Sequence, residues 1–395
     1  MYLLRFSSFS ETEEMEGARK TVIEEKIIVA HVAGGMTTGG VEQVVYDYAA
    51  HLREGRYRWI YISYNEPDSQ VREKFESLGF QVYQVPRKKE HFLKSCLEVY
   101  RIFKEQKVRI VHSHMTVMCF ITNILAWAAG IKMRISHSHL VLYPSGIKRP
   151  LYGIFKWLDR VTATHWVACS QAAGEYLFGK NAVKNHRVWV MGNGLDYSRW
   201  KYSPVLRKQM RTAYGLEDMT VLGHVGRFTE QKNHAFLLEV FRKYNDRIPR
   251  SRLVMAGDGP LMDQIKEKAL SMGILDAVLF VGSVPDPSPW YMAMDLFVFP
   301  SVYEGLGIAA LEAQATGLPV LASEEVPKEA ALTEEMRFLA LEEGAQRWAD
   351  MLMKMKAGHR ETDLGKILKE RNLDIGTLAE KLDRFYQNGL ESADI

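Results

Sequence analysis

The residues best suited to chemistry in this 395-residue chain lie in the stretch 299–312. An apolar run ends there in a loop that carries Glu304, Gly305 and Gly307, and a helix-forming run then brings Glu312. Glycines let the backbone approach a ligand closely, and free N–H groups at the start of a helix favour an anion. A phosphate would repel the two glutamates, so they are better suited to hydroxyl groups. Phosphate and hydroxyl groups together indicate a nucleotide sugar.

Two cations, Arg227 and Lys232, follow an earlier apolar run that ends at Val225. At the carboxyl end of a strand they would suit a diphosphate, because arginine offers a planar fork and lysine a mobile point charge. The alternative is a pair of solvated surface cations. The chain has no Asp-x-Asp pair to hold Mg²⁺ or Mn²⁺. We therefore expect no metal cofactor, with the cations and the helix N–H groups neutralising a departing phosphate.

A third candidate segment is the glycine-rich loop before Val41, which contains Gly34, Gly35, Gly39 and Gly40. It precedes a predicted helix whose first N–H groups could meet a phosphate or a sugar oxygen. No Lys-Ser/Thr pair follows the glycines, so the loop is not a P-loop. A turn that only needs positive φ angles is the alternative.

Four histidines form two His-Ser-His triplets, each at the end of a predicted strand: His112 with His114, and His137 with His139. Alternate residues of a strand face the same way, so such a pair could chelate Zn²⁺. No acid or cysteine lies near them at ligand spacing. Histidines that line a cleft are therefore favoured over a metal site, and buried structural histidines remain a third possibility.

Short apolar runs alternate with helical stretches from Lys26 onward, which predicts parallel βαβ units. Strands are predicted in a first series at Ile27–Ala33, Trp59–Ser63, Phe80–Val85, Arg109–His112, Met133–Ser136, Trp166–Cys169 and Val188–Met191, and in a second series at Val221–Val225, Arg252–Ala256, Val278–Val281, Leu296–Phe299, Pro319–Ala322 and Phe338–Leu341. This pattern predicts an α/β fold of two doubly wound, Rossmann-like domains that face a cleft.

The predicted boundaries are a polar extension at 1–25, a first domain at 26–200, a second at 205–370 and a closing C-terminal helix at 371–395. The stretch from Leu195 to Pro204 has few apolar runs and is predicted to be a linker. The closing helix has Ile375, Leu378 and Leu382 at helical spacing, so it should dock on one of the domains.

Composition is that of an ordinary globular protein, with 47% apolar and 25% charged residues. A formal net charge of +3 gives no argument for nucleic acid. Three cysteines without CxxC spacing suggest reduced thiols and a cytoplasmic location. The basic aromatic segment 148–160 would suit the inner face of an anionic membrane, although a helix packed on the first domain needs the same residues.

Taken together, these motifs strongly resemble the retaining glycosyltransferases of family 4. The resemblance rests on the segments GGVEQVV, VHSH, SHSH, MGNGLD, GRFTEQKN, AGDGPL and FVFPSVYEGLGIAALEAQATGLPV, and it covers residues 26 to 328. The phrase LASEEVPKEA and the SHSH triplet are similar to bacterial exopolysaccharide and capsule enzymes of the EpsF type. The usual glycine pair of the family has no close equivalent near Ser323–Val326.

The resemblance implies a GT-B fold in which the first domain binds the acceptor and the second binds the nucleotide sugar. It implies that Arg227 and Lys232 hold the diphosphate. It further implies that Glu304 and the amides of Gly305, Leu306, Gly307 and Ile308 contact the transferred sugar, and that Glu312 binds the ribose. His137 is the histidine implied at the sugar, with His114 a weaker candidate. Gly39 and Gly40 are implied to meet the diphosphate.

The activity implied is metal-independent, retaining transfer of a hexose or HexNAc. The expected donor is UDP-linked, and the expected acceptor is a glycan or a polyprenyl-diphosphate-linked saccharide. Alternatives are a nucleotide-sugar epimerase, a silent sugar-binding module and a NAD-dependent oxidoreductase. The last rests on a GxGxxA match that begins at Gly305, and that match lies several residues beyond its strand.

Overall fold

The computed structural model of the protein describes residues 26–37, 39–52, 55–141, 148–355, 360 and 364–394. The predicted polar extension at 1–25 lies outside these residues. Within the described residues the chain forms two β-sheets with helices around them.

Seven strands form the first sheet: β1 (Ile27–Ala33), β2 (Tyr57–Ser63), β3 (Gln81–Gln84), β4 (Ile110–Ser113), β5 (Met133–Ser138), β6 (His165–Ala168) and β7 (Val188–Val190). Their order is β3-β2-β1-β4-β5-β6-β7, and the neighbouring strands are parallel. The second sheet has six strands: β8 (Thr220–Val225), β9 (Ser251–Ala256), β10 (Val278–Gly282), β11 (Leu296–Phe299), β12 (Val320–Ser323) and β13 (Met336–Leu339). Its order is β10-β9-β8-β11-β12-β13, again parallel.

Sixteen α-helices connect or flank these strands in the described residues. They are α1 (Gly40–His51), α2 (Ser69–Ser77), α3 (Lys88–Glu105), α4 (Cys119–Ala128), α5 (Lys148–Thr162), α6 (Gln171–Phe178), α7 (Lys180–Lys184), α8 (Tyr197–Trp200), α9 (Pro204–Ala213), α10 (His234–Asn245), α11 (Met262–Ser271), α12 (Ser288–Ala293), α13 (Ile308–Ala315), α14 (Gly344–Lys354), α15 (Leu364–Glu370) and α16 (Ile375–Asp394).

The apolar runs form strands because helices cover both faces of each sheet. All four residues of β11 are buried, as are all four of β12, which is the pattern of a central parallel strand. Separate apolar clusters fill the two faces of the first sheet. The predicted α/β architecture of two doubly wound domains is confirmed.

Each sheet reverses its winding at one point, between β1 and β4 in the first and between β8 and β11 in the second. Loops leave the carboxyl ends of these strands in opposite directions, so a crevice opens there. The glycine-rich loop follows β1, the Arg227 loop follows β8, and the Glu304 loop follows β11. The fold thus places three of the predicted motifs at its two switch points.

The segment from Leu195 to Pro204 is more structured than the predicted linker. It contains α8, and the side chain of Trp200 is buried. Leu195 also forms a parallel bridge with Asp374, so the two crossings between the domains lie side by side. Helix α16 then returns to the first sheet, where Asp383 accepts hydrogen bonds from Arg56 (2.8 Å) and Tyr57 (2.5 Å).

Candidate functional site

A cavity of about 570 Å³ lies between the carboxyl ends of the two sheets. Its lining includes Gly39 and Gly40 from the first domain and the Gly305–Ile308 segment, Arg227 and Lys232 from the second. Glu304 and Glu312 also line it. The structure therefore brings together predicted residues of three motifs that are far apart in the chain.

The loop between β11 and α13 is shaped by its glycines. Gly307 has φ of +86° and caps α13, so the first N–H groups of that helix face the cavity. A β-carbon on Gly305 would lie 1.9 Å from the carbonyl oxygen of His139. The Ser170 hydroxyl donates to the Gly305 carbonyl at 2.5 Å. The loop is thus fastened to the first domain, and only glycine fits this contact.

Lys232 and Glu304 form a buried ion pair at the cavity wall. The Lys232 Nζ donates to Glu304 Oε1 at 2.5 Å and lies 4.6 Å from the centre of the Phe299 ring. The side chains are 16% and 7% exposed, so solvent screens the pair weakly. An anion that reaches Lys232 would compete with Glu304 and free its carboxylate for other hydrogen bonds.

Arg227 is exposed on the loop after β8. Behind this loop a β-carbon on Gly257 would lie 2.1 Å from the Gly226 carbonyl oxygen, and one on Gly259 would lie 2.5 Å from that of Phe228. The Gly-Asp-Gly turn after β9 therefore supports the arginine loop through close backbone packing as well as lining the cavity.

Glu312 projects from α13 into the cavity, and its Oε2 accepts a hydrogen bond from the Tyr291 hydroxyl at 2.8 Å. Burial raises the pKa of Glu312 to about 7. The carboxyl group can therefore change charge near neutral pH.

Glu42 is a further carboxyl group of the cavity that sequence reasoning did not single out. It lies in the first turn of α1, where the Thr37 N–H donates to its Oε1 at 3.3 Å. Burial raises its pKa to about 7, against a lowering contribution from Arg227. The sequence did offer a signal, because Glu42 lies two residues after Gly40 in the segment GGVEQVV.

The histidines at the cavity do not include the one that the sequence favoured, His137. His114 and His139 line the cavity, whereas His137 is fully buried and does not. The physical reason is that β5 runs two residues further than predicted, to Ser138, so His137 lies inside the strand. The histidine that meets the cavity beyond the end of β5 is His139, and this corrects the assignment of His137 as the cleft histidine.

The dinucleotide fingerprint beginning at Gly305 does not have the geometry that such a motif requires. Helix α13 begins at Ile308, nine residues after β11 ends at Phe299, whereas the fingerprint links strand and helix directly. Within the described residues no helix is long and apolar enough to cross a bilayer. The three cysteines are free thiols.

Two family models match the chain. Residues 38–199 match "Glycosyltransferase Family 4", and residues 219–356 match "Glycosyl transferases group 1". The first match covers β2 to β7 of the first sheet, and the second match covers all six strands of the second sheet.

Among curated proteins, the chain is 32% identical over 340 residues to "Putative glycosyltransferase EpsF" of Bacillus subtilis (strain 168), covering 84% of this chain and 88% of that protein. It is 31% identical over 241 residues to UDP-Gal:alpha-D-GlcNAc-diphosphoundecaprenol alpha-1,3-galactosyltransferase of Escherichia coli, covering 58% and 62%. Among solved structures, Anabaena Alr3699/HepE in complex with UDP-glucose matches with a TM-score of 0.78 at 18% identity, over 92% of this chain and 100% of that one.

Proposed function

This chain belongs to glycosyltransferase family 4, and from that premise we propose that it transfers a hexose or HexNAc from a UDP-linked donor to a glycan or lipid-linked saccharide. The transfer is proposed to retain the anomeric configuration, to need no metal ion and to serve cell-surface polysaccharide synthesis. The observation that carries the proposal is the buried Lys232–Glu304 pair beside the N-terminus of α13, in a cavity between two Rossmann-like domains.

The donor diphosphate is proposed to lie against Lys232, Arg227 and the first N–H groups of α13. All three are positive or partly positive and line one cavity. Gly39 and Gly40 approach from the other side, where a β-carbon on Gly40 would lie 2.9 Å from Ile308 Cδ1. HepE, with the same fold, was crystallised with UDP-glucose, which supports a UDP-linked donor here.

Glu312 is proposed to accept hydrogen bonds from the ribose hydroxyls. Its carboxyl group lies five residues into α13, behind the proposed phosphate position, and already accepts one hydrogen bond from Tyr291. Glu304 is proposed to accept hydrogen bonds from the transferred sugar once the diphosphate has drawn Lys232 away from it. His139, which meets the cavity, takes the sugar contact first expected of His137.

In the proposed reaction the bond between the sugar anomeric carbon and the diphosphate oxygen breaks, and a bond from the acceptor oxygen to that carbon forms on the same face. The acceptor proton passes to an oxygen of the departing diphosphate, so no protein base is required. Lys232 and the α13 N–H groups stabilise the negative charge that develops on the diphosphate. The enzyme's main contribution is orientation and electrostatic stabilisation.

The acceptor side is proposed to contact the membrane through α4 and α5. Exposed apolar side chains form a stripe on α5 at Leu151, Ile154, Trp157 and Val161, with Trp127 exposed on the neighbouring α4. Exposing such an apolar face to water is unfavourable, and the face is suited to the interface of a bilayer. The E. coli relative is named for a diphosphoundecaprenol-linked acceptor, which supports a lipid-linked acceptor for this chain.

A donor screen tests the proposal. The purified protein is incubated with UDP-glucose, UDP-galactose, UDP-GlcNAc or GDP-mannose and polyprenyl-diphosphate-linked saccharides, and released nucleotide is measured with and without EDTA. We expect acceptor-dependent release of UDP from one donor, unchanged by EDTA. Interconversion of UDP-sugars without release would indicate an epimerase, and loss of activity with EDTA would overturn the metal-free mechanism.

A further inference from the structure

Five buried histidines form one connected cluster at the carboxyl ends of β1, β4 and β5. They are His31, His112, His114, His137 and His139. The ring centroids are 3.9 Å apart for His137 and His139, whose rings are tilted, and 4.4 Å apart for His112 and His114, whose rings are stacked. The proposed transfer uses only His139, so the cluster as a whole has no role in it.

The hydrogen bonds of the cluster leave one buried ring nitrogen unpaired. His114 is bonded to His31 (3.0 Å) and to His139 (2.8 Å), and His137 is bonded through Nδ1 to His112 Nε2 (3.0 Å). The Nε2 of His137 is fully buried and has no hydrogen-bond partner among the described residues. An unsatisfied buried polar atom is unfavourable, so it calls for a ligand.

We propose that His114, His137 and His139 bind a divalent transition-metal ion of the Zn²⁺ class. One ring nitrogen from each of the three lies within 4.8 Å of the others. A tetrahedral ion at about 2.0–2.1 Å from each nitrogen needs the nitrogens about 3.3 Å apart, so the three rings must shift as the ion binds. Imidazole-only ligation selects Zn²⁺, Co²⁺, Ni²⁺ or Cu²⁺ over Mg²⁺ and Ca²⁺.

The surrounding hydrogen bonds fit this assignment. If the ligand atoms are His114 Nδ1, His137 Nε2 and His139 Nε2, each ligand keeps an N–H on its other ring nitrogen, and that of His139 is left for the proposed sugar contact. The Nε2–H of His114 donates to His31, and the Nδ1–H of His137 donates to His112, whose own Nδ1–H donates to the Tyr386 hydroxyl at 2.8 Å. Such outer hydrogen bonds orient metal-bound histidines.

The cluster is accessible from the cavity. His114 and His139 line the cavity, so an ion can enter from there and keep its fourth position open to water or a ligand oxygen.

The test uses tag-free protein freed of metal by dialysis against a chelator and then titrated with Co²⁺. We expect one Co²⁺ per chain with the visible absorption of a four-coordinate ion, and none with Mg²⁺. His137→Gln and His114→Gln should abolish this site, His112→Gln should weaken it about 10- to 100-fold, and His186→Gln, an exposed control, should leave it unchanged. Co²⁺ uptake that persists in His137→Gln and His114→Gln would overturn the proposal.

A measurement on the wild-type protein covers the case in which the variants fail to fold. X-ray absorption of the Zn²⁺-loaded protein should give nitrogen or oxygen ligation at about 2.0–2.1 Å. Sulfur ligation, or no uptake by folded protein, contradicts the site. These readouts do not involve sugar transfer, so they stand or fall apart from the proposed function.

Discussion

At the scale of single residues, the cavity holds two carboxyl groups, Glu42 and Glu312, that burial has moved to a pKa of about 7. Both could exchange a proton near neutral pH, and each faces a site proposed for an anionic ligand. Their protonation state therefore links the stability of the empty protein to pH.

We expect stability to fall as pH rises through the window set by Glu312. Its folded pKa of about 7 exceeds the ordinary value of 4.5, so the folded state holds the proton more tightly, and this stabilisation is lost between those two values. Glu312→Gln cannot ionise. The free energy of unfolding of the wild type should drop by about 2 kcal/mol relative to Glu312→Gln between pH 5 and pH 7.

Urea unfolding at both pH values measures this difference. Glu267→Gln on the exposed face of α11 is the matched control and should follow the wild type. A constant difference between wild type and Glu312→Gln across this range would contradict a raised pKa for Glu312.

At this scale the sequence placed Glu304 and Lys232 at the cavity, because the position of each depends on its own loop, while their roles stay predictions. The sequence did not distinguish His137 from His139, because the choice between them depends on where β5 ends. Strand ends are set by the neighbouring β6, whose Val167 pairs with His137 and whose Ala168 pairs with Ser138. Glu42 was missed although it lies beside the glycine-rich loop, because its burial is a property of the folded chain.

At the scale of elements, α5 was correctly predicted as a helix, and the sequence left open which side chains it buries. In the structure Phe155 packs against Phe120 of α4, whereas Ile154 is 54% exposed. Lys156 lies over the Tyr176 ring of α6, at 3.4 Å from the ring centre. The exposed face of α5 is therefore determined by its contacts with neighbouring helices, which the sequence of α5 alone does not specify.

We expect the exposed stripe of α5 to bind anionic vesicles. Trp157→Ser removes a large aromatic side chain that is 57% exposed. An aromatic side chain that becomes buried at the membrane interface contributes a large share of the binding free energy. Co-sedimentation with phosphatidylglycerol vesicles should decrease several-fold for this variant.

Leu270→Ser is the control for the vesicle experiment, because Leu270 is 64% exposed on α11 of the second domain. Its co-sedimentation should equal that of the wild type. Equal binding by Trp157→Ser and the wild type would rule out α5 as the membrane contact.

At the scale of the whole molecule, the alternation of strands and helices was enough to predict two doubly wound sheets. The strand order also places ligands at the carboxyl ends. The sequence could not predict that the domains meet so closely that Gly305 packs on His139, or that α16 crosses back to the first sheet. Both depend on contacts between residues more than 150 positions apart.

The most direct test of the account compares Glu304→Gln with Lys232→Ala for UDP affinity by calorimetry and for transfer by UDP release. We predict that Glu304→Gln binds UDP at least as well as the wild type but transfers at least 100-fold more slowly, whereas Lys232→Ala also loses about 10-fold or more in UDP affinity. The exposed control Lys243→Ala should change neither. Transfer at the wild-type rate by Glu304→Gln, or unchanged UDP affinity in Lys232→Ala, would contradict the proposed site.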